Sequence, residues 1–295
     1  MVTMRLLASR ISVLLLLAGA CALAAVDFGP PKGTPFPGVV TSMGPKGAAV
    51  LIYPSSSACA FCKAQLLELE QHRAVFHKLG LGVSALPYDN AAISKIFPGR
   101  KPHPGWFVLD ARQVIVAKYF EEDASQVYTA AAILVHQFGW KPEPAQQVEG
   151  KQLTATVRAS NSAVAPGERV VLTLDTALQP DMHVYAPGVE GYIPIDWKME
   201  DSAAAEVHAP VFPRAEKLYL PAIDETVPAY RSHFRLTRDI TIPAADKLHS
   251  AVDAAGHFAV DGTLRYQACD DRVCYIPQTL RLQWNFETQE RLAAP

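Results

Sequence analysis

Two close cysteine pairs carry most of the chemistry open to this chain: Cys59-Ala60-Phe61-Cys62 and Cys269-Asp270-Asp271-Arg272-Val273-Cys274. They use four of its five cysteines. Such short spacings make poor staples. Closing so small a loop contributes only about 2 kcal/mol of chain entropy, against about 4.7 for a hundred-residue loop. Two sulfurs this near can join and part without moving the fold, which suits two-electron exchange.

The elements around the first pair would place it well for that work. Ala48-Ala49-Val50-Leu51-Ile52-Tyr53 is a short apolar run and reads as a buried strand. Ser55, Ser56 and Ser57 form a turn and offer helix N-caps. Residues 59–78 read as helix, with Leu66, Leu67, Leu69 and Phe76 on its apolar faces. Cys59 then falls in the first turn, where free N–H groups and the helix dipole stabilise a thiolate. Cys62 shares its face and can attack a mixed disulfide at Cys59. Cys59 is expected to attack and Cys62 to resolve. A static disulfide and a zinc half-site are the competing readings. Zinc needs two more ligands, which only the second pair could supply, by bridging domains.

Further along, residues 81–86 read as a strand, 90–97 as a short helix, 106–109 and 114–120 as a hairpin of strands, and 125–138 as an amphipathic helix. This order predicts an α/β domain over 46–140, after an irregular Pro- and Gly-rich lead-in over 26–45. Trp140-Lys141-Pro142-Glu143-Pro144 begins a linker that runs over 141–152. Beyond it, period-two stretches at 153–158, 170–175, 234–242 and 280–286 alternate with Pro-Gly turns, without a helix. They predict an all-β sandwich over 153–287 and a tail over 288–295. The second pair is expected at the lips of two short strands, 266–269 and 274–277.

Arg5 and Arg10, the apolar run 11–17 and Ala22-Leu23-Ala24 read as an export signal cleaved near residue 25. Lipidation at Cys21 and an uncleaved membrane anchor are the alternatives. Export implies an oxidising compartment such as the bacterial periplasm. A net charge of −2 gives no electrostatic case for nucleic acid. His183, His208, His233, His249 and His257 are scattered, lack metal-ligand spacing, and read as surface or hydrogen-bonded strand histidines. No cofactor motif is present.

With Tyr53-Pro54, Cys59-Ala60-Phe61-Cys62-Lys63 and Pro104-Gly105-Trp106-Phe107-Val108-Leu109-Asp110, residues 46–140 resemble the thioredoxin fold, in its exported redoxin and thiol-disulfide reductase branch. The resemblance implies that Pro104 is a cis-proline facing the cysteine pair. It departs at Ala58, where tryptophan is usual, and at Trp106, where a small polar residue is common; both bear on substrate docking. The peroxiredoxin pattern, counted from Pro54, reaches Ala58 and Phe61 and fails, which leaves a thiol peroxidase as a lesser alternative.

For the second pair, spacing alone leaves a hairpin staple and an exchanging pair equally open. Asp270 and Asp271 oppose a thiolate and Arg272 favours one. Tyr266-Gln267-Ala268-Cys269, Cys274-Tyr275-Ile276-Pro277-Gln278-Thr279, His183-Val184-Tyr185, Gly191-Tyr192, Pro194 and Trp197 make residues 150–287 resemble the N-terminal periplasmic domain of the DsbD family. The resemblance implies an immunoglobulin-like fold and electron transfer with thioredoxin-like partners. It assigns attack to Cys274 and resolution to Cys269, beneath a cap for which Asp224, Glu225 and Tyr230 are the candidates. The combined expectation is an exported oxidoreductase exchanging dithiols with disulfide-bearing proteins, a membrane electron donor, or its own other pair. The rival class is a scaffold whose second disulfide is structural.

Overall fold

In the computed structural model, residues 28–289 are described except 39, 41, 56–58, 98–103, 124–125 and 222–223. The expected export signal with Cys21, the departure at Ala58, Ser56 and Ser57, and most of the tail lie outside the described residues.

The first unit contains β1 (Ala48–Tyr53), α1 (Ala60–Lys78), β2 (Gly82–Pro87), β3 (Gly105–Leu109), β4 (Ile115–Tyr119), β5 (Val127–Tyr128) and α2 (Ala130–Phe138). Its sheet has the order β2-β1-β3-β4. β1 runs parallel to β2 and antiparallel to β3. The unbroken apolar run of β1 is explained by cover on both faces. Ala49 and Leu51 pack with Leu69, Phe76, Ile133 and Leu134 of the helices. Val50 and Ile52 pack with Phe28, Phe36, Tyr88, Ile93 and Phe97. Phe28 and Phe36 make the irregular lead-in part of this core. Residues 90–97 form turns instead of the expected helix. The Asn90 side chain accepts a hydrogen bond from the Ala92 N–H at 3.0 Å, closing a local turn that competes with helix. α2 starts five residues later than expected, capped by Thr129, because Val127 and Tyr128 are drawn into strand.

The second unit contains β6 (Gln146–Glu149), β7 (Leu153–Ala159), β8 (Ala163–Val164), β9 (Glu168–Leu178), β10 (His183–Tyr185), β11 (Asp196–Met199), β12 (Glu206–Val211), β13 (Glu216–Leu220), β14 (Glu225–Arg231), β15 (His233–Thr241), the short α3 (Ala245–Leu248), β16 (His257–Tyr266), β17 (Ala268–Cys269) and β18 (Gln278–Thr288). One sheet runs β12-β15-β9-β7-β6 and faces another of order β11-β16-β18-β8. Alternation fills the space between them. Leu280, Leu282, Trp284 and Phe286 point inward from β18 and meet Leu172, Leu174, Leu236 and Ile240. A smaller sheet, β13-β14-β10-β17, carries the second cysteine pair. Two expectations change here. The linker contains β6, which pairs with β7. The segment after Cys274 is not a strand, since Cys274 makes only an isolated bridge to Cys269. The helix α3 also interrupts a region read as pure β.

The two units are docked. β5 pairs in parallel with the start of β9. Val171, on the outer face of β9, is sealed by Ala132 and Val135 of α2. This accounts for the loose alternation of Arg169-Val170-Val171-Leu172, a stretch buried from both sides. Arg169 Nε donates to Glu121 at 3.0 Å, and His136 Nε2 lies 2.8 Å from an Asp239 oxygen.

Candidate functional site

Cys59 and Cys62 are joined, with Cα atoms 5.3 Å apart. Cys59 is the N-cap of α1 itself, so the cap comes from the cysteine and not from the serines before it. Its sulfur accepts from the Cys62 N–H at 3.2 Å. That contact is the N-cap bond a serine oxygen would make, and it would serve a thiolate as well. Cys59 is half-buried, whereas Cys62 is 4% exposed. Lys63 is exposed. Pro104 is buried at the entry to β3, while its preceding bond involves His103, outside the described residues. Trp106 is fully buried and donates its indole N–H to the Tyr128 carbonyl at 2.8 Å, so it is a core residue.

Cys269 and Cys274 are also joined, with Cα atoms 4.0 Å apart. The loop between them is shaped by Asp270. One carboxylate oxygen accepts from the Arg272 and Val273 N–H groups, both at 2.8 Å, and the other from the Tyr275 hydroxyl at 3.0 Å. The Val273 and Arg272 amides, then Tyr275, hold this carboxyl below its ordinary range. Asp270 is thus a loop-forming acid whose charge is absorbed by N–H groups. The two sulfurs differ sharply in access: Cys269 is 1% exposed and Cys274 is exposed. Val273 and Ile276, beside Cys274, are exposed apolar residues at 53% and 80%.

A line of aromatic groups leads from the exposed sulfur. The Tyr185 hydroxyl lies 3.8 Å from Cys274 Sγ. Its ring stacks on Tyr192 at 4.2 Å, and the Tyr192 hydroxyl donates to Glu225. That carboxylate, ahead of burial, pushes the Tyr192 hydroxyl up to about 12. Burial and then Glu225 push Tyr185 upward too. In the sequence Tyr185 and Tyr192 stand out only through the family resemblance; the tertiary fold shows that they reach the pair.

The cap candidates separate. Asp224 and Glu225 sit at the tip of the β13–β14 hairpin, whose Leu220 and Val227 pack on Tyr185 and Cys269. Asp224 accepts from the Tyr219 hydroxyl at 2.9 Å. Tyr230 is placed elsewhere. It projects from the opposite face of β14, is 4% exposed, stacks on Phe234 and donates to the Pro213 carbonyl.

The fold does not bring the two pairs together. The first unit docks at the Glu168–Arg169 end of β9, while β10 and the second pair follow the Leu178 end, about 30 Å away along the strand. α2 runs with β9, from Val171 toward the Trp140 carbonyl beside Arg235. α1 runs with α2, from Glu68 at Ala130 to Phe76 at Phe138. Cys59 precedes Glu68 by about 13 Å of helix and so points away from Cys274. The sulfur pairs are separated by on the order of 40 Å.

Residues 150–284 match the family described as "Thiol:disulfide interchange protein DsbD, N-terminal", and the match spans the β-sandwich of the second unit. Two solved structures are similar to parts of the chain. One is the N-terminal periplasmic domain of ScsB from Proteus mirabilis, with 16% identity, a TM-score of 0.32, and coverage of 50% of each chain. The other is the reduced DsbD N-terminal domain of Neisseria meningitidis, with 15% identity, a TM-score of 0.25, and coverage of 40% of this chain and 82% of that one. The chain thus spans half the length of the ScsB domain. No curated protein sequence matches it.

Proposed function

We propose that the chain is an exported thiol-disulfide oxidoreductase with two exchanging pairs, one in a thioredoxin-like unit and one in a DsbD-like domain. Cys59 and Cys274 are the attacking sulfurs, Cys62 and Cys269 the resolving ones. The observation that carries this reading is the asymmetry of the second pair. An exposed sulfur, touched by a tyrosine hydroxyl and flanked by exposed Val273 and Ile276, is bonded to a sulfur buried in a strand. A staple has no need of that asymmetry, whereas exchange needs one sulfur reachable and its partner shielded. The first unit supports the same chemistry through its CxxC at a helix N-terminus and its sheet order. Partners are thioredoxin-like or disulfide-bearing proteins of an oxidising compartment. Because the pairs are held far apart, each meets its own partner while the units stay docked.

The test is the pair of reduction potentials, measured separately with the other pair replaced by serine. A working pair is expected between about −270 and −120 mV. A value for Cys269–Cys274 below about −300 mV would make it a structural bridge and leave the second domain as a docking module.

A further inference from the structure

The exchanging pair leaves one buried group beside it without a task. His183 is 2% exposed, and its Nε2 has no hydrogen-bond partner among the described residues. A buried polar atom without a partner is destabilising and calls for an explanation. The explanation lies across the strand pair. His183 stands directly opposite Cys269 where β10 meets β17. Opposed residues of an antiparallel pair project from the same face, with Cβ atoms about 4.5–5.5 Å apart. Tyr185, two residues on, shares that face: its ring meets the imidazole edge-on at 5.3 Å, and its hydroxyl reaches Cys274.

Resting on the exchange reading above, we propose that His183 is the proton-transfer residue for the buried sulfur of Cys269. In closure, Cys274 is joined to a partner's sulfur. The imidazole takes the Cys269 thiol proton, and the Cys269 thiolate attacks Cys274 Sγ. The Cys269–Cys274 bond forms, the Cys274–partner bond breaks, and the electron pair leaves on the partner's thiolate. In opening, a donor thiolate attacks Cys274 Sγ, the Cys269–Cys274 bond breaks, and the Cys269 thiolate it releases takes a proton through the imidazole, which a proton from solvent first converts to imidazolium. Cys274 can exchange its proton with water, but Cys269, at 1% exposure, cannot do so readily. Burial also disfavours its thiolate.

The charges around the imidazole suit this role. Burial lowers its pKa most strongly; Asp271 raises it, Arg231 on β14 lowers it, and Asp270 raises it. The net direction is downward, so the neutral, proton-accepting form is present at neutral pH.

The test uses the full chain carrying Cys21→Ser, Cys59→Ser and Cys62→Ser, so that Cys269 and Cys274 are its only thiols; serine preserves the N-cap at position 59. The reduced protein is mixed with 5,5′-dithiobis(2-nitrobenzoate). Attack by the first thiol releases one thionitrobenzoate, and ring closure releases a second. In His183→Gln and His183→Phe, the second release is expected to slow by at least about tenfold near pH 7, with the first little changed. The deficit should shrink toward about pH 9.5, where the thiol ionises without help. A second release that keeps its rate and pH profile in both variants overturns the proposal. So does equal slowing of both releases at every pH, which would mark His183 as a packing residue. If neither thiol of the parent chain reacts, the exchange reading falls along with it.

Discussion

The Tyr185 hydroxyl lies 3.8 Å from the Cys274 sulfur, and this is the one polar side chain that meets it among the hydrogen bonds of the described residues. The contact is long for an oxygen donor but ordinary for sulfur. It gains strength when the sulfur is charged, because hydrogen bonds to charged groups contribute about 1.5–3 kcal/mol. Tyr185→Phe keeps the ring on Tyr192 and removes only the hydroxyl. Alkylation of reduced Cys274 by iodoacetamide at pH 7 is expected to slow by about tenfold, the lower end of that range. Unchanged alkylation would show that the hydroxyl does not reach the thiolate.

Asp270 ties the loop of the second pair to pH. Its carboxyl is held below the ordinary value of 3.8, chiefly by the Val273 and Arg272 amides and then by Tyr275. A lowered folded-state value means that the stabilisation is present above the ordinary carboxylate range and is lost as pH falls through the lowered value. Asp270→Ala should therefore melt below the parent at pH 7, and the gap should close in strong acid. Thermal unfolding of the oxidised proteins at both pH values checks this. A gap that persists in acid would assign the loss to packing rather than to the carboxylate.

How much of this was legible beforehand depends on where each signal resides. The β1-turn-α1 passage is local: an apolar run, a serine turn and a periodic face place Cys59 at a helix start with no knowledge of the rest. Gln146–Glu149 is different, because three of its four residues are exposed and only β7 makes them a strand. Val127 and Tyr128 likewise become strand only once β9 lies beside them. The Asn90 side chain won a turn from a segment with helical composition. At the second pair, spacing could mark the cysteines, and the family resemblance offered Asp224 and Glu225, but neither placed the side chains beside the sulfurs. Tyr185, Tyr192 and His183 precede them by more than seventy residues, and strand pairing alone puts His183 opposite Cys269. Tyr230 had the right type and a plausible place, yet the alternation of β14 turns it into the sandwich core.

The docked arrangement predicts how Cys59 and Cys274 can meet. In a Cys21→Ser, Cys62→Ser, Cys269→Ser chain, Cys59 and Cys274 are the two remaining cysteines. Under mild oxidation their disulfide should form between chains, giving concentration-dependent dimers on non-reducing gels. Arg169→Ala leaves Glu121, which is 17% exposed, without its partner. Breaking a buried pair costs about 3–5 kcal/mol, and less at this partial exposure. That loss loosens the docking, so the share of product linked within one chain should rise several-fold. A link within one chain that dominates while Arg169 is intact would contradict the separation of the pairs.

The exposed apolar pair beside Cys274 separates partner docking from sulfur chemistry. Val273 and Ile276 contribute nothing to the core, yet they flank the reachable sulfur at 53% and 80% exposure. Apolar groups kept in water next to a reactive atom suit a surface that is covered when a protein partner binds. Burying a side chain of this size contributes about 1.5–3 kcal/mol. Ile276→Asp removes that gain and adds a charge that must be desolvated on docking. Exchange with an oxidised thioredoxin is therefore expected to slow by about tenfold or more, since every 1.4 kcal/mol is a factor of ten. Exchange with a small disulfide such as oxidised glutathione needs no docking surface and should stay within about twofold, because Ile276 is 80% exposed and its substitution leaves the buried packing unchanged. Stopped-flow fluorescence with the two oxidants side by side measures the ratio. Equal slowing with both would place Ile276 in the loop's own structure, and no slowing with either would deny the surface a role in docking.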